Sequence, residues 1–288
     1  MATTNSPLRY PGGKSSLMPF LKDVILLNGF KNGVYIEPYA GGAGAALSLL
    51  FEKVVNRIII NDFDPIIYKF WTAILQQPDF FIKKIETIPL TIQEWRTQKQ
   101  ILESHCQSQP FDVGFAAFYI NRCNHSGILR AGPIGGQHQA GKYTLGVRFN
   151  RKILAAKIRR IASYRNQITI FNQDAIQLLQ EVIPKVNGKK LIYLDPPYYK
   201  KGKQLYLNAY EHDDHRNLAT YLESNLMNYS WILTYDDVEE IRMMYKNSNT
   251  ITYSLNYFAH HAKRGNELLI APPDLRLPEH VQIKYGLV

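Results

Sequence analysis

The sequence predicts an α/β fold: an open, mostly parallel sheet with helices on both faces and a separate region inserted into it. Three observations lead there. Short apolar runs at 34–36, 57–60, 168–171, 191–194 and 231–234 have the length of buried strands, and stretches of helical periodicity separate them. The first run passes into Glu37-Pro38-Tyr39-Ala40-Gly41-Gly42-Ala43-Gly44, a glycine loop opening a helix, and the second ends near an acid, Asp62. The fourth ends in Asp195-Pro196-Pro197-Tyr198, which sets an acid, a rigid turn and an aromatic ring at the carboxyl end of a strand. Open α/β sheets bind their ligands there.

Taken in order, residues 8–14 read as a short strand-like lead into a glycine turn, followed by a helix with Leu17, Phe20, Leu21 and Val24 on one face. The strand at 34–36, the helix at 45–51 and the strand at 57–60 form a nucleotide-binding βαβ half. A helix at 71–75 follows. Residues 78–109 are polar and helical, and 127–143 are glycine-rich, expected as a loop or hairpin reaching out from the body. Then come a basic helix at 152–164, the strand at 168–171, a helix at 175–183 and the strand that carries Asp195. The polar loop 200–214, a helix at 215–223, a strand at 231–234 and a helix at 238–245 lead to a closing hairpin, 250–258 with 267–270.

Composition narrows the function. With 45% apolar and 20% charged residues in 288, the chain can bury a large core. The first ten residues lack a basic stretch followed by an apolar one, and no apolar run reaches bilayer length, so a cytoplasmic protein without membrane contact is expected. Cys106 and Cys123 make no disulfide framework or zinc pattern. The net charge is +10, and residues 113–173 hold ten basic side chains and no acid, which accounts for the whole excess. Such a local field is the footprint of a polyanion, with a solvated basic helix as the plain alternative.

Glycines let a ligand approach the main chain, and backbone N–H groups at a helix start suit a carboxylate. Asp62 stands about 20 residues on, where an acid caps a ribose. Gly12-Gly13-Lys14-Ser15 lacks the first glycine of a phosphate loop, because Leu8 stands there. Lys14 remains suited to a ligand carboxylate. The cluster from Glu211 to His215 lacks further ligands at metal spacing, and no metal is expected.

Four blocks in order resemble the D12-class, Dam-like DNA adenine-N6 methyltransferases. They are Tyr10-Pro11-Gly12-Gly13-Lys14; Glu37 to Gly44; Asn121-Arg122 with Gly127 and Arg130; and Asp195 to Tyr198. The resemblance spans nearly the whole chain. It implies a Rossmann-like S-adenosylmethionine-dependent methyltransferase sheet, with 1–77 and 166–288 as the catalytic domain and 78–165 as an inserted helical and hairpin DNA-recognition region. S-adenosylmethionine is the implied cofactor, with Tyr10, Lys14, Glu37, Gly41, Gly44, Asp62 and Asp195 among its contacts and Asp174 expected near its adenine. Asp195, Pro196 and Tyr198 are the implied catalytic residues. Double-stranded DNA is the implied partner, met by Arg122, Asn124, His125, Ser126, Arg130 and Arg148. A bacterial or phage setting and a cognate restriction endonuclease also fit the family.

One departure matters. His125, Ser126 and Ile128 replace the aromatic, Asn and Leu of enzymes that read GATC, so GATC recognition is not expected. Arg122 and Arg130 are suited to guanine or phosphate. The tetrad would also serve another planar amine, such as cytosine N4, an RNA base or a glutamine amide. A nucleic-acid-binding regulator with a silent site is the reading from a different class.

Overall fold

A computed structural model describes residues 4–9, 14–200, 210–226, 229–259 and 261–278, without the side chains of 14, 15, 254–259 and 261–265. Its centre is one seven-stranded sheet. The strands are β1 (Val34–Glu37), β2 (Arg57–Asn61), β3 (Ile168–Phe171), β4 (Lys190–Leu194), β5 (Trp231–Asp236), β6 (Asn249–Ala259) and β7 (His261–Ala271). They lie in the order β3-β2-β1-β4-β5-β7-β6. The first five pair in parallel, and β7 runs antiparallel to both β5 and β6. Every residue of β1 and β5 is buried, as parallel strands covered on both faces require. The chain reverses its direction of winding between β1 and β4, which opens a crevice at their carboxyl ends.

Helices cover both faces. On one side lie α1 (Met18–Leu27), α2 (Gly44–Phe51) and α3 (Pro65–Gln76), packed on Tyr35, Ile58, Ile60 and Tyr193. On the other, α8 (Ala175–Glu181), α9 (His212–Asn225) and α10 (Glu239–Met244) pack on Ile36, Ile192, Leu194 and Leu233. Helix α3 starts at residue 65 rather than 71, because Asp64 caps it through the Ile66 N–H at 2.8 Å and Pro65 occupies its first position.

Between α3 and β3 the chain forms α4 (Pro78–Thr87), α5 (Ile92–Glu103), α6 (Pro110–Cys123) and α7 (Arg151–Ser163). These helices share one core with α1–α3, through rings such as Phe70, Phe81 and Phe118. Helix α6 meets α3 at Gly114, where a Cβ would stand 2.4 Å from the Lys69 carbonyl oxygen. Residues 127–143 make no regular hairpin. One bridge joins Asn124 to Pro133, and Gln139 draws the loop inward by donating to the Ile134 and Gly136 carbonyls.

The strand-like start expected at 8–14 also differs. Leu8 and Arg9 form no strand, Lys14–Leu17 is a single 3-10 turn, and 10–13 lie outside the described residues. Arg9 instead exchanges backbone hydrogen bonds with the Asn121 amide, at 2.7 Å and 2.8 Å, which ties the N-terminal segment to α6. Among the described residues no helix is long and apolar enough to cross a membrane.

Candidate active site

The loop after β1 is shaped by its own neighbours. Gly41 at φ +47° and Ala43 at φ +46° turn it into α2. The Gly41 N–H donates to Asp62 Oδ2 at 2.9 Å, and the Gly41 carbonyl accepts from Trp71 Nε1 at 3.0 Å. The Ala46 N–H, in the first turn of α2, donates to Glu37 Oε1 at 3.1 Å. The protein's own acids therefore take two backbone donors that the sequence reading left for a ligand. Gly41 is buried and Gly44 is partly exposed.

Asn61, buried at the end of β2, joins three loops. Its Nδ2 donates to the carbonyls of Pro38 and Gln173, and its Oδ1 accepts from the Gln173 N–H. Asp174 is exposed and caps α8 through the Ile176 and Gln177 N–H groups, and its charge acts on the nearby Tyr210. Tyr10 lies outside the described residues, as does the Lys14 side chain.

At the end of β4, Asp195 is half-buried, Pro196 buried and Tyr198 partly exposed. The Thr234 hydroxyl donates to Asp195 Oδ1 at 2.8 Å. Beyond the tetrad, the N–H groups of Tyr199 and Lys200 both donate to the buried Asp236, at 2.9 Å each. The Tyr198 ring leans on Tyr235, with centroids 6.3 Å apart. Burial, then the charges of Asp195 and Glu267, push its phenol well above its ordinary value, so Tyr198 stays neutral and offers a ring face. Behind it His215 is 1% exposed and meets the Tyr235 hydroxyl at 2.8 Å through Nδ1, while its Nε2 has no partner among the described residues. Burial holds this imidazole down at about 4, so it is neutral. The sequence assigned no role at this site to Thr234, Asp236 or Asn61, and considered His215 only as part of a possible metal cluster.

Glu37, Asp62 and Asp195 thus stand at the carboxyl ends of β1, β2 and β4, around the crevice. Burial lifts Glu37 to about 8 and Asp62 to about 7, against the hydrogen bonds from Ala46 and from Asp64 and Gly41. Buried carboxylates held partly protonated suit a cation, which would favour their ionised forms. A sulfonium cofactor fits this donor set.

The expected DNA-contacting residues divide sharply. Asn124, one of the expected DNA contacts, is fully buried. Its Nδ2 donates to the carbonyls of Ile128, Leu129 and Ala131, and its Oδ1 accepts from Trp95 Nε1 at 2.7 Å. Its amide shapes the 124–131 loop and ties it to Trp95 of α5. Arg122 is partly exposed and donates through Nε and Nη2 to the Arg148 carbonyl. Burial and the neighbouring Arg9 lower its guanidinium to about 10. His125, Ser126, Arg130 and Arg148 have exposed side chains, with Ser126 held at φ +54°.

The acid-free stretch 113–173 is likewise only partly a surface field. Arg151 caps α4 through the Ile85 and Ile88 carbonyls, Lys157 donates to the Ser6 carbonyl, Arg159 pairs with Glu86, and Arg160 lies over the Phe51 ring. Arg159 and Arg160 are exposed all the same, as are Arg130, Lys142, Arg148, Lys152 and Arg165. The excess charge therefore serves internal carbonyls as well as the surface.

A sequence model of the D12 class N6 adenine-specific DNA methyltransferases matches residues 10–258. No curated protein matches the chain significantly. Similar solved structures include a protein of Pyrococcus horikoshii provisionally described as an RNA methyltransferase, at 9% identity and a TM-score of 0.40, covering 92% of this chain and 84% of that one. Another is the rRNA methyltransferase AviRa of Streptomyces viridochromogenes, at 12% identity and a TM-score of 0.35, covering 93% and 88%.

Proposed function

The chain belongs to the D12 class of N6 adenine-specific DNA methyltransferases, and on that premise we propose that it methylates N6 of an adenine flipped out of double-stranded DNA, at a site other than GATC. The observation that carries the reading is the Asp195 carboxylate, held at the crevice beside the partly exposed ring of Tyr198. S-adenosylmethionine, when bound, supplies a methyl group activated on a sulfonium sulfur. Glu37 and Asp62, with Asp195, would hold it at the ends of β1, β2 and β4.

The chain's own residues then do the rest. An adenine amine is a poor nucleophile because its lone pair is delocalised into the ring, and inside a duplex it is out of reach. Extrusion costs a few kcal/mol. Stacking on Tyr198 returns about 1–3 kcal/mol, the usual scale for a base on an aromatic side chain. Asp195 and the Pro196 carbonyl accept the two N6 hydrogens, which turns the lone pair out of the ring plane toward the methyl donor. Asp236 fixes the backbone beyond Tyr198, so the acceptors are positioned before the base arrives. Arg130 and Arg148, whose side chains are exposed, would meet the DNA.

The test is transfer of labelled methyl from S-adenosylmethionine to unmethylated genomic DNA, with nucleoside analysis and Asp195→Ala as control. N6-methyladenine from the wild type and none from the variant is the expected result. Another methylated base, or undiminished activity in Asp195→Ala, overturns the reading.

A further inference from the structure

Two buried hydroxyls converge on Asp195 from the strands beneath it. Thr234 of β5 is fully buried, and its Oγ1 donates to Asp195 Oδ1 at 2.8 Å. Tyr193 of β4 is 3% exposed, with its hydroxyl 2.9 Å from the same Thr234 oxygen. An alcohol carries one hydrogen, and that of Thr234 is given to the carboxylate. The second bond must therefore be donated by Tyr193. The order is fixed: Tyr193 O–H to Thr234, and Thr234 O–H to Asp195.

Strand register brings this about. Leu194 pairs with Leu233, so the next residue on each strand, Asp195 and Thr234, stand side by side. Two residues further along β5, Asp236 receives the N–H groups of Tyr199 and Lys200. One strand thus grips the tetrad at its first residue and just past its last. Simple packing would not select threonine at 234. Valine has nearly the same shape, and a buried hydroxyl costs free energy unless it is bonded. The hydroxyl is warranted only by what it holds.

We propose that Thr234, backed by Tyr193, is a positioning residue for methyl transfer: it fixes the rotation of the Asp195 carboxylate and presents it to the substrate amine as an acceptor. A hydroxyl donating to an acid favours its ionised, acceptor-only form. The bond also removes a side-chain rotation that would have to be stilled at each turnover. The inference rests on the proposed role of Asp195 and adds the residue that sets it.

Thr234→Val, Thr234→Ser and Tyr193→Phe are to be compared with the wild type in steady-state kcat and in KM for cofactor and polynucleotide. Thr234→Val is expected to lower kcat about 10- to 100-fold, the scale of a lost hydrogen bond to a charged group, while both KM values stay within about threefold. Serine keeps the hydroxyl and is expected to return kcat to within about threefold of the wild type. Tyr193→Phe should fall between. Should the valine protein fail to fold, serine and phenylalanine decide the matter by the same kcat readout. A valine variant with wild-type kcat overturns the inference, as does a serine variant as impaired as the valine. So does a loss expressed in KM alone. The ratios are measured on whichever polynucleotide accepts the methyl group. Failure of DNA as acceptor thus counts against the proposed substrate, and unchanged ratios count against Thr234.

Discussion

A cation bound beside Glu37 would displace the proton that burial keeps there. The carboxyl is 5% exposed, and desolvation raises it to about 8 even though the Ala46 N–H stabilises the anion. With that value Glu37 is about nine-tenths protonated at pH 7, so a ligand that requires the anion releases about 0.9 proton from this group. Through Glu37 alone, apparent affinity should weaken about 100-fold between pH 9 and pH 6.

Calorimetry in two buffers of different ionisation enthalpy counts the protons. S-adenosylmethionine and S-adenosylhomocysteine share every titrating group and differ in the charge on sulfur. The first should release more protons at pH 7, and the excess should vanish in Glu37→Gln. Equal counts for the two ligands on the wild type would refute the reasoning. Stability carries the opposite sign. The folded value of Glu37 lies above its ordinary value of 4.5, so the native state holds a proton that the unfolded chain has released. Its contribution is complete below about pH 4.5 and is lost as pH rises through about 8. The ligand-free melting temperature should fall over that window, and less steeply in Glu37→Gln.

Other outcomes follow from single contacts. Asn124→Ala removes the bonds it makes to the Trp95 N–H and to three loop carbonyls, of which that of Ile128 keeps the Ala131 N–H, and should cost about 2–5 kcal/mol in a denaturant melt; a stable variant that had lost only DNA binding would restore Asn124 as a direct contact. Gly127→Ala should destabilise by more than about 1–2 kcal/mol, since φ is +75° and the new Cβ would stand 2.3 Å from the Arg9 carbonyl oxygen; an unchanged melting temperature would show that Arg9 yields. Arg130→Ala should leave stability unchanged and weaken DNA binding. A salt slope reduced by about 1 would mark a phosphate contact, whereas relaxed preference at one base pair would mark base reading. Binding equal to that of the wild type would remove Arg130 from the interface.

Five strands were legible within about two residues because each is a short apolar run bounded by turn residues. Helix α6 was not recognised. Its residues from Val113 to Asn121 are all buried, so it lacks the polar face that makes helical periodicity visible. The glycine loop and the tetrad were legible because their chemistry is local: consecutive residues at a strand end share a fate. The partners of Asp195 and Tyr199 were not, because Thr234 and Asp236 sit 39 and 37 positions away and arrive by strand register.

The acid-free basic stretch shows the same division. Its charge could be counted from composition, but whether a given arginine faces solvent or a carbonyl depends on where the helices cross. Arg151 and Arg130 are alike in sequence and opposite in place. The sequence by itself determined the sheet, the glycine loop and the Asp195 tetrad, because burial patterns and turn chemistry act between neighbours along the chain. Tertiary structure decided which side chains hold that tetrad and which cations are spent inside the fold, because hydrogen bonds between strands and helices far apart in sequence are set by register and packing.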